Sequence, residues 1–253
     1  MKPRIEGLRY LLMGEIRKAK EAGVSLEASE EFDFLTYALR RCHTNHSQVA
    51  QDLWVLYELS ELRDGYFVEF GAGDGIILSN TFLLERDYGW RGILAEPNAE
   101  FHTALRQNRR AHISTKCVVG KSEGDVWFNQ ARDPHFSTID AYSDKDRHAQ
   151  GRRDGRRVQV PTQTLMELLR EPNAPGRIDY LSIDTEGSEF DILEGFDFSA
   201  FEIKLLSVEH NHTANEQAID ALLGAKGFSR RFATLSDFDA WYRSENLPLK
   251  PNA

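Results

Sequence analysis

The stretch YFVEFGAGDGIILSNT, residues 66–81, constrains the fold more than any other part of the chain. An apolar run of strand character, YFVEF, leads directly into three glycines in five positions (Gly71, Gly73 and Gly75), and IILSNTFLLERDYG, read as a helix from Ile76, follows. A strand that ends in a glycine loop and leads into a helix opens a βαβ unit, because glycine lets the backbone turn tightly between the two. From Tyr66 onward the pattern repeats. Short β-rich runs (RGILAEP, HISTKCVVG, DYLSIDTEG, KLLSVEHN) alternate with runs of helical period (AEFHTALRQNRR, TLMELLRE, SEFDILEGF, NEQAIDALLGAKG). This alternation predicts an α/β domain with a mainly parallel sheet and helices on both faces. The tail FSRRFATLSDFDAWYRS reads as two closing strands.

Before Tyr66 the texture is helical. LRYLLMGEIRKAK, EEFDFLTYALRRC and SQVAQDLWVLYELSEL each place apolar residues at three-to-four spacing. The expected organisation is an N-terminal helical extension over 1–60, part of the same domain or a lid, and a main domain over 61–253. One stretch inside that domain, residues 130–160, is polar and charged with no apolar period. It reads as a long loop, and a loop of that length in a compact domain is functional or disordered. Its RRDGRR segment reads either as a solvated turn or as part of a lid over a site.

The bulk numbers narrow the partners. A net charge of −9 over 253 residues excludes a general nucleic-acid binder, which needs a basic surface to displace counterions. Two cysteines, Cys42 and Cys117, make no disulfide framework; each is expected to be buried and inert, and a cytoplasmic location fits. The segment MKPRIEGLRYLLMGEIRKAKEAG is interrupted by charge, lacks the apolar core of a signal peptide, and no stretch reaches membrane-spanning length.

The glycine loop is expected to hold the charged end of a cofactor. A dinucleotide fingerprint needs glycine at position 76, where Ile76 stands, and no Gly-Lys-Ser/Thr follows for a nucleotide phosphate loop. Glu69 ends the strand and Asp74 lies in the loop; beside a pyrophosphate they would repel it by on the order of several kcal/mol. Both suit the opposite sign. S-adenosylmethionine has no phosphate and carries an ammonium and a sulfonium, so it fits the charge. Gly71, Gly73 and Gly75 would let the backbone approach its methionine arm, with Ala72 in the same cofactor-binding loop, and the start of the next helix, near Ser79, Asn80 and Thr81, would donate to its carboxylate. Glu96, followed by Pro97 at the end of the second strand, is placed to take the ribose hydroxyls; capping of the helix from Asn98 is the alternative.

Taken in order, SQVAQD, FVEFGAGDG, SNT, GWRGILAEPN, DYLSIDTEGSEFDIL and VEHN resemble the FkbM-type family of S-adenosylmethionine-dependent methyltransferases, over Ser47 to Asn211. The resemblance implies a Rossmann-like class I methyltransferase fold: a seven-stranded, mostly parallel sheet with the last strand antiparallel. It also implies O-methylation of a small molecule or sugar. By position it assigns Gly71, Gly73, Asp74 and Glu96 to the cofactor, Asn80 to the methionine carboxylate, and Gln51 and Asp52 to a helix over the cofactor. Adenine is expected near Cys117, Val118 and Val119.

Methyl transfer to an alcohol needs the hydroxyl proton removed or its pKa lowered by a metal. Two strand ends offer groups for this: Asp184, Glu186 and Glu189 in SIDTEGSE, and Glu209, His210, Asn211 and His212 in SVEHNHT. Asp184 with Glu209 or Asn211 resembles the magnesium site of catechol-type O-methyltransferases. The rival is His210 as base, with Asp184 and Glu209 beside it. His43 and His46 lie at the pocket mouth or on a surface helix start. A non-catalytic cofactor-binding module and an NAD-dependent enzyme are the alternative functions.

Overall fold

The computed structural model describes residues 5–23, 29–122 and 124–248. Two compact units divide the chain, Met1–Cys42 and His43–Ala253. The first carries α1 (Ile5–Ala22) and α2 (Glu30–Arg41). α2 starts and stops for local reasons. The Ser29 side chain accepts from the amide of Phe32 at 3.3 Å, acids fill the first turn, and Arg40 and Arg41 close the last, all complementing the helix dipole.

The second unit runs α3 (Gln51–Glu58), β1 (Tyr66–Phe70), α4 (Phe82–Tyr88), β2 (Arg91–Ala95), α5 (His102–Asn108), β3 (His112–Ser114) and β4 (Cys117–Val119). It continues with β5 (Asp125–Gln130), β6 (Thr138–Ile139), α6 (Ala149–Arg152), β7 (Arg156–Thr164), α7 (Leu165–Arg170) and β8 (Arg177–Ile183). It closes with α8 (Glu189–Glu194), β9 (Glu202–Glu209), α9 (Asn215–Ala225), β10 (Phe228–Arg231) and β11 (Asp239–Ser244).

The main sheet has seven strands in the order β10-β11-β9-β8-β1-β2-β3. β1 lies parallel to β2 and β8, and β8 to β9, while the closing strand β11 runs antiparallel to both its neighbours. This is the expected seven-stranded sheet. Its central strands are buried on both faces, which is why they read as nearly continuous apolar runs: Val68, Phe70, Ile93, Leu181, Ile183, Leu206 and Val208 are all essentially inaccessible.

Register places the site. Phe70 pairs with Ala95, Glu69 with Ser182, and Ile183 with Val208, so Gly71, Glu96, Asp184 and Glu209 form one row at the carboxyl ends of four neighbouring strands. β11 adds a fifth member, because Asp239 pairs with Glu209. The direction of winding reverses between β1 and β8, and a crevice at that reversal is where open α/β sheets bind ligands.

Three local expectations need correction. HISTKCVVG is not one strand: β3 stays in the main sheet, and β4 joins a second, four-stranded sheet of order β4-β7-β5-β6. That second sheet also takes up the polar stretch 130–160. β5 and β7 form an antiparallel ladder from Asp125↔Pro161 to Gln130↔Arg156, with Cys117, Phe128 and Val160 buried on one face. The stretch is therefore an anchored insert and not a free loop. Finally, α4 begins at Phe82 and not at Ile76. The Asp74 carboxylate accepts from the amides of Ile76 and Ile77, both at 2.8 Å, and Leu78 sits at φ 60, so the chain turns before it coils.

Candidate active site

A cleft opens along the row of strand ends. Gly71, Gly73, Glu96, Pro97, Cys117 and Val118 line one end, and Gln51, Asn80, Asp184, Glu186, Glu209 and Asp239 line the other. The glycine loop sits close against β8: with Gly71 at φ 70, a Cβ there would lie 2.2 Å from the carbonyl oxygen of Asp184. A side chain at 71 would push the two strand ends apart.

Glu96 is buried and held by two backbone donors, the amides of Gly73 and Asn98, at 2.8 and 2.7 Å. Burial pushes its pKa up to about 7, and those two amides pull against that rise. Both amides belong to loops, and α5 starts only at His102, so Glu96 caps no helix. Phe70, Ala95, Val118, Phe128 and Ile183 make the nearby wall apolar, which suits a flat heterocycle. Cys117 is buried here, its thiol pushed up to about 12 by burial first and Glu96 second. Cys42, expected to be buried, is exposed.

Several residues expected at the cofactor shape the loop from behind. Glu69 does not line the cleft. Its carboxylate accepts from the Asn80 amide at 2.7 Å, from the Ser79 hydroxyl at 3.1 Å and from the Thr81 hydroxyl, and it faces the Arg109 guanidinium at 3.7 Å. Arg109 also donates to Glu85 at 2.9 Å and to the Gly75 carbonyl at 3.1 Å. The helix-start donors expected to meet a methionine carboxylate are thus largely taken by Glu69. Ala72 is a turn residue, its carbonyl accepting from Gly75 at 2.9 Å, and Asp74 holds the turn as described. Asp52 is fully buried under the amides of His46 and Leu53 and the hydroxyl of Ser47, and burial raises its pKa to about 6. Neither His43 nor His46 lines the cleft; the neighbouring Gln48 does.

Asn80 faces the cleft with a particular polarity. Its Nδ2 donates to Ser182 Oγ at 2.9 Å, which leaves Oδ1 buried without a partner among the described residues. The free group is an acceptor, which suits an ammonium and not the carboxylate expected from the sequence.

At the far end, carboxyl groups meet one another. Oxygens of Asp184, Glu186 and Glu209 all lie within 4.8 Å. Asp184 retains some accessible surface but sits deep among protein atoms, and burial raises its pKa to about 7, against a hydrogen bond from Glu209 that lowers it. Glu209 is driven well above the carboxylate range by burial and then by Asp184. Groups this close titrate as a pair, and burial favours keeping a proton on it. Glu186 is raised to about 9, chiefly by burial and Asp184, although Arg152 donates to it at 2.7 Å.

Asp239, absent from the sequence expectations, completes this end. Gln51 Nε2 and Trp241 Nε1 donate to its Oδ2 at 2.8 and 3.1 Å, and burial raises its pKa to about 7. The signal available in the sequence was an acid at the start of the last strand, which register sets opposite Glu209. His210 and Asn211 are not part of this cleft. They line a second cavity, which Asp184 does not. Glu189 lies there too, accepting from the amides of Thr185 and Gly187, both at 2.9 Å.

The insert roofs the cleft. His135, Phe136, Arg147 and His148 line it from above; Phe136 stacks on His148 at 4.0 Å, and Arg147 lies 5.2 Å from the Phe238 ring. Arg152 anchors this roof. Fully buried, it donates to Asp146 and Glu186 at 2.7 Å and to the Phe136 carbonyl at 2.6 Å. The solvated-turn reading of RRDGRR therefore fails at Arg152 and holds at Arg153, which is exposed.

Fold and cleft together define a class I methyltransferase architecture. The methyltransferase FkbM domain family matches residues 69–243, well over half the chain, and the protein belongs to that family. The resemblance read from the motifs is borne out, and membership makes the chain an S-adenosylmethionine-dependent methyltransferase. Among functionally curated proteins none matches. Solved structures similar in outline include a methyltransferase from Geobacter sulfurreducens (13% identity, 91% of this chain and 96% of that one, TM-score 0.41). Others are a precorrin-6y C5,15-methyltransferase from Geobacter metallireducens GS-15 (12%, 71% and 71%, 0.37) and a TehB-like SAM-dependent methyltransferase from Corynebacterium glutamicum (9%, 85% and 100%, 0.38). Among the described residues no helix is long and apolar enough to cross a membrane.

Proposed function

We propose that the chain O-methylates a hydroxyl of a small-molecule natural product or sugar, with Asp184 as the base. The observation that carries this is the carboxyl pair: Asp184 and Glu209 meet on the cleft wall with Asp184 poised near neutrality. A base works best when its pKa lies near the working pH.

The cleft suits S-adenosylmethionine by its donor set. Glu96 would hold a diol, the apolar wall a heterocycle, and the orphaned Asn80 Oδ1 an ammonium. When bound, the cofactor supplies an electrophilic methyl group on sulfonium. Asp184 would orient the acceptor hydroxyl and take its proton. Glu209, the other member of the pair, limits the negative charge at this end by sharing a proton with Asp184. Asp239, fixed by Gln51 and Trp241, offers a second acceptor to the bound alcohol. Positioning of this kind supplies much of the rate in an in-line displacement.

Magnesium is the second reading, favoured by the three carboxylates within 4.8 Å. Arg152 already donates to Glu186, and this leaves less room for a divalent ion there. A methyl-labelled cofactor screen over hydroxyl-bearing acceptors tests the function. Transfer that survives EDTA and is lost in Asp184→Asn supports the base; loss in EDTA with recovery on adding magnesium supports the metal. Transfer only to amine or carbon acceptors discards the O-methyl reading.

A further inference from the structure

The sequence HNHTANE, residues 210–216, makes the turn between β9 and α9 and opens the last helix. α9 begins at Asn215, so Glu216 lies in its first turn. Among the described residues a second cluster of ligand-type side chains gathers here. One ring nitrogen each from His210 and His212 and a carboxylate oxygen of Glu216 all lie within 4.8 Å of one another. The turn is shaped to bring them together. Asn211 and His212 sit consecutively at φ 47 and 54, held by Thr213, whose amide and hydroxyl both donate to the His210 carbonyl at 2.8 Å. Non-glycine residues held in left-handed backbone are strained, and such residues gather at ligand sites. The methyl-transfer chemistry above makes no use of this turn.

Each ligand has a partner that sets which atom it offers. The His210 side chain, only 1% exposed, is bonded to the Asp239 backbone, and its Nδ1 accepts from the His212 amide at 3.1 Å. Because Nδ1 accepts, the hydrogen of the neutral ring stands on Nε2 and Nδ1 carries the lone pair. Nδ1 lies 3.6 Å from Glu216 Oε2. Two ligands about 2.0–2.1 Å from a tetrahedral zinc ion stand about 3.3–3.4 Å apart, so this pair is already near coordination spacing. On His212 the Asp237 carboxylate faces Nε2 at 3.3 Å, favours a hydrogen there and leaves Nδ1 as the lone pair. The other Glu216 oxygen, Oε1, accepts from Arg230 at 2.7 Å. Metal ligands are held in this way, each imidazole by a carbonyl or carboxylate on its far nitrogen and each carboxylate by a donor.

Two imidazoles and one carboxylate select the ion. Nitrogen ligands suit zinc and its first-row neighbours, whereas magnesium takes oxygen. Two features oppose an ion, and neither closes the site. Arg230 brings a positive charge, but it is shared with Asp220 at 2.9 Å, so one cation faces two carboxylates. The His212 amide meets the Nδ1 lone pair through a long hydrogen bond, the one contact an ion would displace. The His212 side chain is 55% exposed, so an ion can enter from solvent and keep water as its fourth ligand.

We propose that His210, His212 and Glu216 form a zinc site that pins the turn following Glu209. The site is separate from the Asp184–Glu209 pair and stands whether or not that pair methylates an alcohol. The test is titration of the full chain with zinc against a chromophoric chelator, with melting temperature followed in parallel. The wild type is expected to bind one zinc per chain and to melt higher with zinc, and to show neither response to magnesium. His212→Asn keeps a residue that tolerates left-handed backbone, and Glu216→Gln keeps an acceptor for Arg230. Each is expected to weaken zinc binding at least tenfold and to abolish the melting shift. Cys42→Ser, which removes an exposed thiol, is expected to bind zinc as the wild type does. No zinc on the wild type, equal affinity in both variants, or zinc lost with Cys42 would each overturn the site. If a variant fails to fold, anomalous scattering at the zinc edge from wild-type crystals decides. An ion on His210, His212 and Glu216 upholds the site; an ion elsewhere, or none, overturns it.

Discussion

At the ends of β1 and β2 the buried acids meet donors; at the ends of β8 and β9 they meet each other. Glu69 and Glu96 are surrounded by amides, hydroxyls and, for Glu69, a guanidinium. Asp184 and Glu209 have one another. Donors fixed before the ligand arrives make a rigid recognition surface. Acids set against acids hold protons that move near neutral pH. The same row of residues is thus divided into a half that binds and a half that reacts.

The sharpest way to break this division is Asp184→Asn. Methyl transfer should fall about 10²–10⁴-fold while cofactor affinity, read by calorimetry, stays unchanged. An equal loss of both would merge the two halves. In the wild type, transfer should rise with pH through about 7, because only the deprotonated base accepts the hydroxyl proton. Arg109→Met should destabilise the fold by about 3–5 kcal/mol in urea unfolding, since it leaves Glu69 buried without its cation. A change below about 1 kcal/mol would show that the hydroxyls and the amide hold Glu69 alone. Glu96→Ala should weaken cofactor binding by about 1–3 kcal/mol with little effect on the rate at saturation.

Stability should also carry the signature of the reacting half. Asp184 and Asp239 titrate near 7 when folded and near 3.9 when unfolded, so between those values the native state holds more protons. Unfolding free energy should therefore fall as pH rises from about 5 to about 8, and urea midpoints at the two ends check the sign. The smallest effect separates two neighbours in the insert. Arg153→Ala should change stability by less than about 0.5 kcal/mol, whereas Arg152→Met should cost several times more and loosen the roof.

Much of the architecture was legible in the residues. Short β-rich runs alternating with runs of helical period named the βαβ units; the three glycines marked the first strand end, and Glu96 the second. The tail FSRRFATLSDFDAWYRS was readable as two strands because two short runs with aromatic residues flank a polar turn. The insert was harder. Its ladder buries only one face, and Val158 and Val160 alternate among arginines and glutamine, so its charge masked a period that was present.

What the residues by themselves determined is which positions are buried and at what period, because burial of an apolar face is a local pattern written along the chain. That settles an α/β sheet, a glycine loop at its first turn and acids at its strand ends. Which acid meets which partner was decided only in three dimensions. Glu69 finds Arg109, Glu186 finds Arg152, and Asp239 comes to stand opposite Glu209, all across long sequence separations. The reason is physical: a buried charge is governed by whatever lies within a few ångströms of it, and strand register, not sequence distance, chooses that neighbour.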